Sequence, residues 1–292
     1  MVILNVKGGL GNQLFMYATA YAVAKKYKTS IILDKQSYDT TYILRKCQLE
    51  YFNVDTECCV MKRSYGRNKI ACKLYNIVHD FKLRHLYKAV YIEEKEEFLF
   101  QDIPYIANAN IYLKGYWQNY HYFDSYRQEI IDLFTPKDIL YYKESKLLKQ
   151  IIEEKPVAVH IRRTDYKTFQ GGKCLSFQYY KQAIKKMYEI LGEERKLLVF
   201  TDDVDFCKEQ LKEYNNVTYI SDICKLSDVQ EFYIMSKCSC FIIANSSFSW
   251  WAAYLNDGKD KVVIAPLVDM WKREFYLNEW FTLDALLEGE TK

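Results

Sequence analysis

Two adjacent arginines, Arg162 and Arg163, follow the apolar run VAVHI in the stretch VAVHIRRTDY (157–166). A guanidinium is always charged and presents a rigid fork of donors, so folding must give each one an anion or water. Three outcomes are open for the pair: an exposed strand end, an ion pair to Asp165, or a clamp on an anionic ligand. Three more polar clusters end or begin apolar runs: GGLGNQ (8–13), TDDVD (201–205) and NSSFSWW (245–251). Ligands of open parallel sheets bind beyond the carboxyl ends of the strands. Four clusters at that kind of edge favour the anion clamp.

Each cluster has a plain structural reading beside the chemical one. GGLGNQ lacks the Gly-Lys-Ser/Thr of a phosphate loop, and Leu14 stands where GxGxxG needs its third glycine. What remains is a tight turn, built on Gly9 and Gly11, that lets backbone approach a ligand, with Asn12 and Gln13 at the helix start, or a plain strand-to-helix turn with Asn12 capping the helix. In NSSFSWW, Ser246, Ser247 or Ser249 can cap a helix whose free N–H groups suit a pyrophosphate, while the two tryptophans pack in a core. Asp203 and Asp205 form a DxD, a pattern that holds metal ions. Asp202 and Asp203 equally suit capping of the next helix, or acceptance of the donor pair on a guanine edge, and these two readings are preferred over metal.

The elements that must position these groups read as α/β. VILNV (2–6), a helical run over 14–27 and SIILD (30–34) open with a βαβ unit. Residues 40–110 carry no clear signal apart from 69–88, where Ile70, Leu74, Ile77 and Phe81 recur at helical spacing among lysines. A solvated amphipathic helix is the favoured reading there, contact with anionic lipid the second. NIYLKGYWQNY (110–120) reads as strand and loop, and 121–134 as helix. Five strands follow, in 155–163, 196–203, 217–221, 238–247 and 261–266, with helices near 176–191, 204–214, 226–237 and 247–257. Pro156 argues against helix continuing into the first of them. Two domains are therefore expected, 1–154 and 155–292.

Composition narrows the classes. Of 292 residues, 27 are Tyr, 16 Phe and 5 Trp, and a formal charge of +3 gives no ground for a nucleic-acid partner. Nine Cys, an odd number with no CxxC, read as buried thiols in a reducing compartment. The opening residues read as a strand rather than a signal peptide, and no apolar run approaches membrane-spanning length. A cytoplasmic location is expected.

GGLGNQLF, HIRRTDY, FTDD and ANSSFSWWAA, in this order along nearly the whole chain, resemble the α-1,2-fucosyltransferases of glycosyltransferase family 11. The resemblance implies a GT-B fold of two Rossmann-like domains facing a central cleft. It implies transfer of fucose from GDP-L-fucose, with inversion and without metal or cofactor, to the 2-hydroxyl of a terminal β-galactoside. Arg162 would bind the β-phosphate with Arg163 beside it, and Asp165 would hold the arginines or their loop. His160, sharing a strand face with Arg162, would meet the guanosine side unless it is a core histidine. Thr201 with Asp202 or Asp203 would read guanine, Asn245 through Phe248 to Ser249 would hold phosphates, and Asn12 and Gln13 would reach over from the first domain. A bacterial-type form, with an acceptor that is free or lipid-linked and peripheral contact with the inner membrane as an option, completes the expectation. The catalytic base is unassigned among His121, Asp34 and Asp124. HxRRxD does not encode the acceptor, so another fucosyl linkage is the runner-up. A non-catalytic carbohydrate-binding protein is the reading from a different class.

Overall fold

The computed structural model describes residues 1–40, 46–57, 69–138, 146–168, 174–223 and 225–289, with the side chains of 39, 40, 69–72, 165 and 168 left undescribed. It divides into two compact units, Met1–Lys137 and Asp138–Lys292.

The first unit is built on a four-stranded parallel sheet in the order β2-β1-β4-β3, from β1 (Val2–Asn5), β2 (Ile31–Asp34), β3 (Ala89–Glu93) and β4 (Asn110–Lys114). The two strands read from the opening sequence are β1 and β2, both fully buried, as parallel strands covered by helices must be. Helix α1 (Leu10–Lys26) begins earlier than the helical run read over 14–27. Asn12 and Gln13 therefore lie inside the helix, and its N-cap is Gly9, which offers no side-chain cap. The short α2 (Gln36–Thr40) and α3 (Lys69–Phe81), which runs into a single π-turn over Lys82–Leu86, precede β3. Only the last part of 121–134 is α-helix, α4 (Arg127–Leu133). Leu83, Ala89, Ile3, Ile32 and Tyr112 form a core cluster of this unit.

The second unit holds a six-stranded parallel sheet ordered β10-β9-β8-β5-β6-β7. Its strands are β5 (Val157–Ile161), β6 (Leu197–Thr201), β7 (Val217–Tyr219), β8 (Cys240–Ile242), β9 (Val262–Leu267) and β10 (Phe281–Asp284). Five match the apolar runs; β10, with no buried residue, was not read from sequence. The helices are α5 (Lys146–Glu154), α6 (Thr164–Thr168), α7 (Phe177–Leu191), α8 (Val204–Gln210), α9 (Ile220–Ile223), α10 (Asp228–Ser236) and α11 (Ser247–Leu255). The division between units falls before α5, earlier than the expected 154/155. The physical reason is that α5 buries Leu148 and Ile151 and its C-terminal end is tied to β6 and β8. Glu154 pairs with Lys196 at 2.6 Å, and Ser239 donates to the Lys155 carbonyl at 2.7 Å.

Candidate active site

The strand order places β8, β5 and β6 side by side, and the clusters NSSFSWW, HIRRTDY and TDD leave their carboxyl ends together. Asp202 is the link between two of them. Its Oδ1 accepts from the Arg163 amide at 2.8 Å; its Oδ2 accepts from the Thr164 amide at 3.2 Å and hydroxyl at 2.7 Å, and lies 3.2 Å from Nη1 of Arg162. A carboxylate just past the end of the neighbouring strand thus caps the first turn of α6 and holds one arginine from the side. Tyr166, on that helix, donates to the Asn245 carbonyl at 3.3 Å and ties in the third cluster.

The two arginines have different roles. Arg163 is buried, with Nε donating to Asp203 at 3.2 Å, Nη1 paired with Glu288, and its guanidinium carbon 3.3 Å from the centre of the Phe206 ring. That corrects the expectation that Arg163 acts on a ligand. Its Nε and Nη1 are paired with carboxylates inside the unit, whereas Arg162 keeps 27 % of its side chain exposed. The side chain of Asp165 lies outside the described residues.

Asp203 occupies the N-cap of α8 but makes no capping hydrogen bond, contrary to the capping expectation. Its Oδ2 instead accepts from Lys167 at 3.0 Å and from Arg163, and Lys167 first, then Arg163, hold its carboxyl below the usual range. Asp205 is exposed. Thr201 Oγ1 accepts from the Asp203 amide at 3.1 Å. None of these groups shows a carboxylate directed at a base, because Asp202 and Asp203 both have internal partners.

His160 is buried on β5, with Nδ1 2.8 Å from the Ser249 hydroxyl and its ring packed on Phe248 at 5.6 Å. Ser249 also lies 3.3 Å from the Ser246 carbonyl, which places it between the imidazole and the start of α11. Ser246 caps α11 as expected, accepting from the Phe248 amide at 3.4 Å, and the positive end of this helix dipole faces the cluster. Trp250 anchors the helix by donating to the Phe275 carbonyl at 2.8 Å, and Tyr179 braces the chain after β8 through the Ile243 carbonyl at 2.9 Å.

One residue of this site was not read from sequence. A capping box of Ser227 and Gln230 starts α10, and the next residue, Glu231, sits within electrostatic reach of Arg162 and Asp202. Burial, then the neighbouring Asp228 carboxylate, push its carboxyl up to about 7, with Arg162 opposing. Among the described residues no side chain donates a hydrogen bond to it. Two acidic residues in the first turn of a helix read as ordinary dipole partners and carry no local signal of this kind; only the fold brings Glu231 to the arginine.

The first unit gathers the other cluster at its own carboxyl edge. Gly8 has φ of +75°, and a Cβ there would stand 3.1 Å from the side-chain amide nitrogen of Asn12, so any other residue would be strained there. Asn12 accepts from Gln118 at 3.0 Å. Gln13 is wholly buried: it donates to the carbonyls of Gly8 (3.1 Å) and Lys46 (2.9 Å) and accepts from the Gln48 amide (2.7 Å). Its amide braces main chain and is not available to a ligand, which corrects the expectation for Gln13. Glu94 accepts from the amides of Tyr116 (2.7 Å) and Trp117 (2.9 Å), and burial raises its pKa against those two donors. Of the three titratable residues considered as base, Asp34 is fully buried between His79 (3.1 Å) and Tyr112 (2.5 Å), whereas His121 and Asp124 are exposed. Burial opposes the charge on Asp34, yet those two partners hold its pKa below the usual range.

The profile of Glycosyl transferase family 11 matches residues 1–284. The chain belongs to glycosyltransferase family 11. Within reach of the family lie an O-antigen biosynthesis glycosyltransferase, WbnK, of Escherichia coli and an alpha-1,2-colitosyltransferase of the same organism. The first is 31 % identical over 89 % of this chain and 92 % of the relative, the second 30 % identical over 91 % of each. A gorilla galactoside alpha-(1,2)-fucosyltransferase 2 is 24 % identical over 98 % of this chain and 80 % of its own length. Among solved structures, the fucosyltransferase NodZ from Bradyrhizobium superposes with a TM-score of 0.50 at 14 % identity, covering 86 % of this chain and 91 % of that one. The chain is thus a family 11 glycosyltransferase with the α/β, parallel-sheet fold of the GT-B class. Among the described residues, no helix is long and apolar enough to cross a membrane.

Proposed function

We propose that this enzyme moves L-fucose from GDP-L-fucose to the 2-hydroxyl of a terminal β-galactoside, inverting the anomeric centre and using no metal ion. The observation that carries the donor reading is Arg162, held by Asp202 at the end of β5 beside the N-terminus of α11. A partly exposed guanidinium and a helix dipole on neighbouring strands supply fixed positive charge where a diphosphate would leave. As the C1–O bond breaks, negative charge grows on the β-phosphate, and donors already in place stabilise it more in the transition state than in the ground state. The positive charge that a DxD-bound cation would otherwise bring is met by protein groups, and Asp203 is already paired with Lys167 and Arg163.

Guanine is read by Glu231 rather than by Asp202 or Asp203. It is the site carboxylate whose oxygens have no donor among the described residues, and its ionised form accepts from two adjacent N–H groups. His160, buried at the end of β5 against Ser249 and Phe248, completes the nucleoside side.

The α-1,2 linkage is supported by relatives named for it, one for colitosyl and one for fucosyl transfer. The colitosyl relative also favours a second donor reading, since colitose is fucose without its 3-hydroxyl. The deciding experiment offers GDP-L-fucose or GDP-colitose, with EDTA present, to a panel of Galβ1,3 and Galβ1,4 disaccharides. An α-1,2-fucosylated product establishes donor, linkage and metal independence together; colitosyl product alone replaces the donor. GDP binding without product on any acceptor leaves the donor site standing and removes the galactoside assignment.

A further inference from the structure

Helix α3 turns its apolar stripe away from the protein. Leu74, Ile77, Val78 and Phe81 recur at the spacing of one helical face and are 59, 58, 50 and 58 % exposed. The face that packs on the sheet carries Tyr75, His79 and, in the π-turn, Leu83, all buried. Leu86, 71 % exposed, continues the outward surface. Five of the thirteen large apolar side chains exposed among the described residues fall in this one stretch of thirteen, while most of the others are scattered singly.

The charges around the stripe are mostly positive. Residues 69–88 contain Lys69, Lys73, Lys82, Arg84 and Lys88 against a single acidic residue, Asp80. Arg84 pairs with Asp80 at 2.8 Å, and Tyr91 donates to the same carboxylate at 2.7 Å, so the one negative group is neutralised in place. Lys73, Arg84 and Lys88 are exposed. A convex helical ridge of Leu, Ile, Val and Phe with lysines and an arginine along it has the composition of a helix lying in a bilayer interface. There the apolar side chains enter the acyl boundary and the long basic side chains reach the headgroups. An apolar protein groove would account for the ridge but not for the excess of positive charge along it.

We propose that the outward face of α3 and the turn after it is a membrane-contact surface that seats on an anionic lipid bilayer. The surface lies in the first unit, and the assignment is independent of the donor reading in the second.

Co-sedimentation with vesicles of phosphatidylcholine alone, or with about one third phosphatidylglycerol, tests this directly. The full chain is expected to pellet with the anionic vesicles and to remain in solution with the neutral ones. The double variant I77S/F81S, changing only exposed side chains, is expected to lose about tenfold in vesicle partitioning while its melting curve and its transfer to a soluble acceptor stay as they were. The variant K73Q/K82Q is expected to weaken binding and flatten its salt dependence. Absence of wild-type binding to anionic vesicles overturns the proposal, as does equal binding by I77S/F81S. Light scattering supplies the competing outcome: a wild-type oligomer that I77S/F81S converts to monomer, with no vesicle binding, makes the ridge a protein–protein surface instead.

Discussion

Asp202 holds Arg162 by its side chain and Arg163 by its main chain, with Oδ2 3.2 Å from the first and Oδ1 2.8 Å from the second. One carboxylate just beyond the end of β6 therefore contacts both the partly exposed guanidinium and the backbone that carries it. Replacing it with Asn keeps one acceptor and loses the ion pair. We expect D202N to weaken GDP binding and to slow transfer, and calorimetric titration with GDP separates the two effects. Unchanged binding and turnover would show that Arg162 is oriented by other contacts.

Arg162→Lys tests the clamp itself. An ammonium keeps the charge but not the forked pair of donors. Charge-assisted hydrogen bonds contribute roughly 1.5–3 kcal/mol each, so loss of one or two should lower kcat/KM by on the order of 10²-fold. Near-wild-type turnover would falsify the diphosphate reading of this residue.

Arg163→Met should behave differently from Arg162→Lys. It leaves Asp203 and the partly exposed Glu288 without their arginine and removes the stack on Phe206. A loss of about 2–4 kcal/mol in stability is expected, seen as an earlier urea midpoint. Under conditions where the variant is folded, GDP affinity should fall much less than in the Arg162 variant.

Glu231 predicts a pH signature. Its carboxyl titrates near 7 in the folded chain against an ordinary 4.5, so the folded state binds the proton more tightly than the unfolded one. The stability it contributes is complete below about pH 4.5 and is lost as pH rises through about 7. E231Q should remove that slope from the urea midpoint. Affinity for GDP should rise with pH over the same range in the wild type, because only the carboxylate accepts both guanine donors; a flat profile would leave guanine recognition to another group.

Gly115→Ala should damage the edge of the first sheet. The residue has φ of +153°, and a Cβ there would lie 2.4 Å from the Glu94 Cβ and 2.8 Å from Oε2. Either the chain moves or Glu94 releases the amides of Tyr116 and Trp117. Strain of this kind costs on the order of 1–3 kcal/mol, and loss of the two hydrogen bonds adds to it. A melting temperature within one degree of wild type would show that the loop adapts freely.

Much of this architecture was legible because parallel strands buried on both faces are written as short apolar runs. VAVHI, LLVFT and FII could be placed, and with them the polar clusters at their ends. β10 was missed because FTLD is an edge strand with no buried residue. β3 was missed because AVYIE sits at the other sheet's edge, between a basic helix and an acidic run. The site residues were recognised by type, and their division of labour was not. Nothing local distinguishes Arg162 from Arg163, since which guanidinium is buried depends on Asp203, Glu288 and Phe206, distant in the chain. In α3 the periodicity was correct, but the face it marks is the outward one. Apolar spacing fixes a stripe without saying what it meets.

Gln13 acts as a ruler for the turn that follows β1. Its single amide measures the separation of three main-chain points, at Gly8, Lys46 and Gln48. Inserting one residue between Gly8 and Gln13 would swing that amide by about 100° around the helix axis and release all three together. Across descendants of this chain, the number of residues in the turn should therefore drift far less than their chemistry. A gap placed there in an alignment is more safely read as an alignment error than as an evolutionary event.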